Sequence, residues 1–237
     1  MIETLKRKKR IIVISIAIII LFIFLIIFYK IFSKNNYKIS EIGNNMSSKD
    51  IKEIEEYILN ISSYEATIEA TVESNKNTNK YILLQKYIAP NMSKQTVLEP
   101  SNLEGIEITY DGQNLKVSNS KLNISKIYEN YEYIVDNVLC LESFISDYKT
   151  CKETNNTNLY EQDNNYVFET NILNSNKYRE KKKLYINKNT GKPTKLLVQD
   201  INEKTLVYIL YNEIKLNGLN KNDILAFKMS KPYALAI

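Results

Sequence analysis

Tyr64-Glu65-Ala66-Thr67-Ile68-Glu69-Ala70-Thr71-Val72-Glu73 alternates without a break. Tyr64, Ala66, Ile68, Ala70 and Val72 fall on one side of an extended chain, and Glu65, Thr67, Glu69, Thr71 and Glu73 on the other. Strand side chains alternate faces, so this segment reads as a half-exposed strand with one face on a core. Just upstream the period changes. Ile51, Ile54, Ile58 and Ile61 recur at helical spacing, while Lys52, Glu53, Glu55 and Glu56 point elsewhere. The spacing predicts an amphipathic helix that starts at Ser47 or Ser48, with Asp50 near its positive end. Its polar side is acidic, which suits a helix laid on a core better than one laid on a membrane.

Downstream, a polar turn at Ser74–Asn79 leads into Lys80–Ala89, and further strands are predicted at Gln95–Leu98 and Gly105–Tyr110. Asp111-Gly112 predicts a hairpin turn, because glycine accepts the positive φ needed there, and Gln113–Ser118 returns. Helical spacing comes back over 137–149, with Val138, Leu141, Ile145 and Tyr148 on one side and Phe144 beside them. Thr154–Asn158 reads as a polar loop. Strands are expected again at Tyr166–Leu173 and Lys182–Asn187. Asn189-Thr190-Gly191 makes a second tight turn, and Pro193 opens the next strand, where a missing donor is tolerated. Lys195–Ile201 and Thr205–Leu216 complete the set. Short turns between successive strands give antiparallel pairing. The expected class is α+β: a strongly curved antiparallel sheet with two helices against one face.

At the other end of the chain, Lys6, Arg7, Lys8, Lys9 and Arg10 run into an apolar segment from Ile11 to Tyr29. At ~1.5 Å rise per residue that length matches a hydrocarbon core of ~30 Å. The basic flank places residues 1–10 in the cytoplasm and sends the remainder across. Phe22, Phe24, Phe28 and Phe32 leave no small-residue cleavage exit, so 11–29 reads as an uncleaved signal anchor. It holds no cysteine for lipid attachment. Residues 30–46 serve as a tether, and 47–237 form the extracytoplasmic domain.

Net charge is +5, and the first ten residues carry most of it, leaving the domain near neutral. That argues against nucleic acid, which needs a clustered basic face. Lys181-Lys182-Lys183 follows Glu180 and reads as a solvated strand entry rather than a site for an anionic polymer. The chain has no histidine, which excludes Ser-His-Asp triads, Cys-His dyads and His-ligated zinc. No catalytic, metal or cofactor motif is found. Cys140 reads as a core hydrophobe within Val138-Leu139-Cys140-Leu141 and Cys151 as part of a polar loop; two cysteines are few for a stapled fold. The sequons at Asn60 and Asn123 follow from an Ile-, Lys- and Asn-rich composition.

Leu184-Tyr185-Ile186-Asn187-Lys188-Asn189-Thr190-Gly191-Lys192-Pro193-Thr194-Lys195-Leu196 resembles the C-terminal hairpin of the lipoprotein-carrier (LolA-like) superfamily, where a strand ends in a Thr-Gly-x-Pro turn. Ile106–Gln113, with Asp111-Gly112, looks like the same superfamily's central hairpin. With Asp136–Ile145 these features are similar to the clostridial germination lipoprotein GerS-related family, over roughly Ser48 to Leu216. One departure stands out: those proteins are lipoproteins, whereas this chain has an apolar span and no cysteine within or directly after it.

The resemblance implies a non-catalytic module that docks to a cell-wall amidase of the N-acetylmuramoyl-alanine type acting on spore cortex, and a place in sporulation and germination. A second class, from the wider superfamily, is a carrier or sensor of lipid or lipoprotein. Its acyl pocket on the concave face would be lined by Tyr64, Ala66, Ile68, Ala70, Val72, Ile108 and Leu115. The same residues equally suit a packed core. Eighteen tyrosines suit a protein interface and suit strands as well. A partner in a homodimer, by strand exchange, is left open by the sequence.

Overall fold

In the computed structural model the described residues are 51–225 except 75 and 133–136. The basic segment 1–10, the span 11–29, the tether 30–46 and the expected helix start at 47–50 lie outside them. Among the described residues no helix is long and apolar enough to cross a membrane.

The elements are α1 (Ile51–Leu59), β1 (Ser63–Glu73), β2 (Thr78–Ile88), β3 (Met92–Glu99), β4 (Ile106–Tyr110), β5 (Leu115–Asn119), β6 (Ile124–Tyr128), α2 (Leu141–Glu153), β7 (Thr157–Gln162), β8 (Asn165–Asn176), β9 (Arg179–Asn187), β10 (Pro193–Gln199), β11 (Thr205–Leu216) and α3 (Lys221–Leu225). All eleven strands join one open, curved sheet in the order β6-β5-β4-β3-β2-β1-β11-β10-β9-β8-β7. Two antiparallel meanders, β1–β6 and β7–β11, are therefore joined where β1 pairs with β11, Tyr64 opposite Leu216 and Val72 opposite Val207. The chain passes from edge β6 to the opposite edge β7, and α2 lies on that crossing.

The alternation at 64–73 is β1. Tyr64, Ala66, Ile68 and Ala70 are buried on the inner face with Leu83, Ile209 and Tyr211 from its two neighbours. Glu65 on the other face pairs with Lys86 at 2.8 Å. α2 packs mainly on β8 and touches α1. Phe144, Tyr148 and Phe168 form a ring stack with centroids 5.7 and 5.6 Å apart, and the Tyr148 hydroxyl donates to Glu55 of α1 at 3.0 Å. Asn217 ties the end of β11 to the start of β1: its Oδ1 accepts from the Ser62 N–H at 2.8 Å, and its own N–H donates to the Ser63 carbonyl at 2.7 Å.

The turns follow the sequence chemistry. Gly112 has φ +104° and Gly191 φ +62°. The Asp111 carboxylate accepts from the backbone N–H groups of Asn114 and Gln113, at 2.7 and 2.9 Å, which holds its pKa below the usual carboxylate value. Asn187 Oδ1 does the same for Asn189 and Thr190, and Pro193 opens β10 opposite Ile186.

Several expectations are corrected. The second helix spans Leu141–Glu153 rather than 137–149, because Asn137 forms a turn: its carbonyl accepts from the Cys140 N–H at 2.9 Å and its Oδ1 from the Leu139 N–H at 3.1 Å. Thr157 and Asn158 open β7 instead of closing a loop. β6 and α3 were not expected. α3 is capped by Asn220, whose Oδ1 accepts from the Asn222 N–H, while Asp223 returns a bond from the Asn220 N–H. It buries Ile224 beside Lys94 and Thr109, on the face opposite α1 and α2, so helices cover both faces.

The lysine run is no solvated entry. Lys182 is wholly buried and donates to Asp147 at 2.7 Å and to Ser143 at 2.8 Å. Lys181 and Lys183 point the other way, and both pair with Glu169, at 3.0 and 3.1 Å. Strand alternation thus splits three like charges between two faces. Cys151 is buried inside α2 rather than in a polar loop, and both thiols are free. They stand apart by about 16 Å of helix, beyond the ~7 Å between Cα atoms that a disulfide can bridge.

Candidate functional site

The inner face of β1–β5 and the turn before α2 enclose a cavity of about 380 Å³. Its floor takes Tyr64 from β1, Gln85 from β2, Ser93 and Gln95 from β3, Ile108 and Tyr110 from β4, and Leu115 from β5. Tyr131, Asn137, Val138, Cys140 and Glu142 close it. The inward positions of consecutive antiparallel strands stand opposite one another, so Gln85 faces Gln95, and Gln95 faces Ile108. Lys86 and Lys94 contribute to the wall, but their ammonium groups are held by Glu65 and Glu107, at 2.8 and 2.9 Å.

A polar group forms the deep end. The Tyr64 hydroxyl donates to Glu142 Oε2, and both residues are buried. Burial first, and the Glu142 charge second, push the Tyr64 hydroxyl and the Cys140 thiol well above their ordinary pKa values. The same two causes raise Tyr87 to about 12, and its hydroxyl donates to the Pro90 carbonyl at 2.7 Å. Tyr211 is also raised, by burial and then by Cys140 and Glu142. Cys140 keeps some exposed surface, and burial with the Glu142 charge disfavours its thiolate. Gln85 donates through Nε2 to the Leu139 carbonyl at 3.1 Å and to Gln95 Oε1 at 3.3 Å. Its own Oε1, and the Tyr211 hydroxyl, are buried without a partner.

Of the pocket residues expected from sequence, Tyr64, Ile108 and Leu115 line the cavity. Ala66, Ile68 and Ala70 belong to the sealed core, and Val72 is half-buried farther along β1. Asp111, Gly112, Gly191 and Pro193 shape turns and are not among the lining. Gln85, Gln95, Tyr110, Tyr131, Asn137, Val138, Cys140 and Glu142 escaped the sequence reading. Two of them carried a signal: Gln85 interrupts the inward row Leu83-Gln85-Tyr87, and Glu142 follows Leu139-Cys140-Leu141.

Chemically the arrangement can bind. Among the described residues of the lining Glu142 is the one carboxylate, surrounded by hydroxyl, thiol and amide groups, whereas glycoside chemistry uses two at roughly 5–9.5 Å. Among the described residues no group of His, Cys, Asp or Glu is placed to hold a metal ion.

Comparison with known proteins gives the following. None of the curated proteins compared matches this chain. Among solved structures, an uncharacterized conserved protein from Thermus thermophilus aligns over 77% of this chain and 96% of its own, at 13% identity and TM-score 0.48. The complex of the CwlD amidase with the GerS lipoprotein from Clostridioides difficile aligns over 68% and 91%, at 27% identity and TM-score 0.44. A LolA superfamily protein from Nitrosomonas europaea aligns over 75% and 98%, at 13% identity and TM-score 0.37. At the level of sequence, the family described as sporulation protein YdcC-like matches residues 8–224, nearly the whole chain. The chain belongs to the YdcC-like sporulation protein family.

Proposed function

We propose that the chain is a membrane-anchored, non-catalytic protein whose domain lies outside the cytoplasm, docks to a cell-wall amidase of the N-acetylmuramoyl-alanine type and regulates it in the spore cortex, in the service of germination. The observation that carries the reading is the family: its match begins at residue 8 and so takes in the apolar segment together with the sheet. The amidase comes from the resemblance of the Asp111-Gly112 and Thr190-Gly191 hairpins to GerS-related proteins, one of which has been solved with the CwlD amidase. The missing histidine, and the single carboxylate among the described residues of the cavity lining, support a binding role over a hydrolytic one. A tether raises the effective concentration of a docked partner near the wall.

The test is capture of the tagged full-length chain from sporulating cells after cross-linking. An amidase should co-purify, and the purified chain alone should leave peptidoglycan intact. Cleavage by the chain alone, or capture without any amidase, overturns the proposal.

A further inference from the structure

Strand β6 closes one end of the sheet and is exposed at every position. It pairs with β5 along its length, Ile124 opposite Asn119 and Tyr128 opposite Leu115, and among the described residues no strand lies on its other side. That side is an open row of backbone donors and acceptors. It is also apolar on both faces, with Ile124 60% and Ile127 59% exposed. Tyr128 stands opposite Leu115 on the face of the cavity, whereas Ile127 belongs to a second groove, of about 220 Å³, on the opposite face. An open apolar edge invites pairing, and Lys126 is the one charge on β6 that opposes it.

The second groove also holds the end of α3. Ile224 and Leu225 line it together with Ile127, and Leu225 is itself exposed. The chain thus leaves α3 across one small groove from β6. The residues that follow are Ala226-Phe227-Lys228-Met229-Ser230-Lys231-Pro232-Tyr233-Ala234-Leu235-Ala236-Ile237. Phe227, Met229, Tyr233, Leu235 and Ile237 take the odd positions, interrupted by Lys231, and the even positions are alanine, lysine, serine or proline. Period two is the pattern of a strand with one apolar face. Twelve residues of extended chain reach about 40 Å, against about 17 Å for the five of β6.

We propose that residues 226–237 add a further strand to the sheet along the free edge of β6. The apolar row packs beside Ile124 and Tyr128, and the row of small and polar residues beside Ile127. Pro232 suits such a strand, because the outward side of a new edge has no ladder and a missing N–H is tolerated there. Lys228 and Lys231 place charge on that edge, which turns away further strands. The segment thereby supplies the protection that β6 lacks. A second copy of the chain would have to compete with it, and the covalent link through α3 gives the segment an effective concentration of order millimolar. This inference is independent of the amidase reading, since it concerns the chain's own residues alone.

The test is hydrogen–deuterium exchange read by mass spectrometry on the full-length chain in phosphatidylcholine nanodiscs, beside the same chain shortened after Leu225. In the full chain the amides of 227–235 should exchange about tenfold or more slowly than a free peptide of the same sequence. Removing 226–237 should speed exchange over 122–128 about tenfold, with β8 and β9 unchanged. Should the shortened chain misfold, seen as lost protection in β8 and β9, Met229→Pro with Leu235→Pro removes donors from the segment alone and gives the same readout. Residues 227–235 exchanging at the free-peptide rate overturn the proposal, and so does β6 protection that survives both changes. Protection that falls on dilution assigns the edge to a second copy and overturns it as well.

Discussion

Replacing Lys182 by methionine removes a charge that no water reaches. The ammonium lies 2.7 Å from Asp147 Oδ2 and 2.8 Å from Ser143 Oγ, and its side chain is fully buried. Methionine keeps a similar stem, so packing changes little and the effect is electrostatic. Asp147 is left in the core with its carboxylate stranded. Breaking a buried pair from one side costs about 3–5 kcal/mol. The Asp147 side chain retains 11% exposure, which admits some water and places the expected loss near the lower end of that range. For a domain of this size, about 3 kcal/mol corresponds to a fall of roughly 6–12 °C in Tm. The double variant Lys182→Met/Asp147→Leu removes both charges and should recover all but about 1 kcal/mol, the residue being Ser143 without its donor. Urea unfolding followed by far-UV circular dichroism measures all three chains. A single variant losing less than about 1 kcal/mol, or a double variant losing as much as the single, would refute the assignment of Lys182 to a buried pair.

Gly191→Val places a β-branched residue at φ +62°, and Gly112→Val at φ +104°; each should lower stability by about 1 kcal/mol or more in the same urea titration. Burial pushes the Glu169 carboxyl up, but bonds from Lys181 and Lys183 outweigh it and hold the pKa below 4.5. A depressed folded-state pKa gives stability that is present above the unfolded value and is lost as pH falls through the folded one. Stability measured from pH 6 down to pH 3 should therefore fall less steeply in Glu169→Gln than in the parent chain. Protease added to intact protoplasts should digest the domain while sparing residues 1–10; a protected domain would refute the proposed topology.

What the sequence disclosed depended on whether a segment has one buried face. β1 buries Tyr64, Ala66, Ile68 and Ala70 and exposes its other side more, so period two is written in it. β6 is exposed at every position, and β7 is exposed at all but Thr157 and Leu159. Edge strands such as these are held by backbone pairing on one side, and their side chains carry no pattern to read. The union of β1 with β11 was equally invisible, because its two sides are far apart in sequence and no local turn fixes its register. Lys182 was misread for a related reason. A charge run looks solvated until alternation sends its middle member inward to a partner on another element. At the cavity, Tyr64, Ile108 and Leu115 follow from apolar parity, whereas Gln85 and Glu142 are polar residues at inward positions and were passed over for that reason.

The distribution of helices explains why the cavity lies where it does. α2 covers the inner face over β7 and β8, and the aromatic stack, the Lys182–Asp147 pair and the Tyr148–Glu55 bond all lie there. No described helix covers the inner face of β3–β6; α3 lies on the opposite side of β2 and β3. A curved sheet left uncovered on its inner face keeps unfilled space, and the half-exposed Ile108 marks it. The wing built from β8–β11 with α2 therefore supplies rigidity. The cavity takes polar groups from both wings, Gln85 from β2 and Glu142 from α2. A substitution in the α2 wing, or at the buried Gln85, which donates to Leu139 and Gln95, should act through stability.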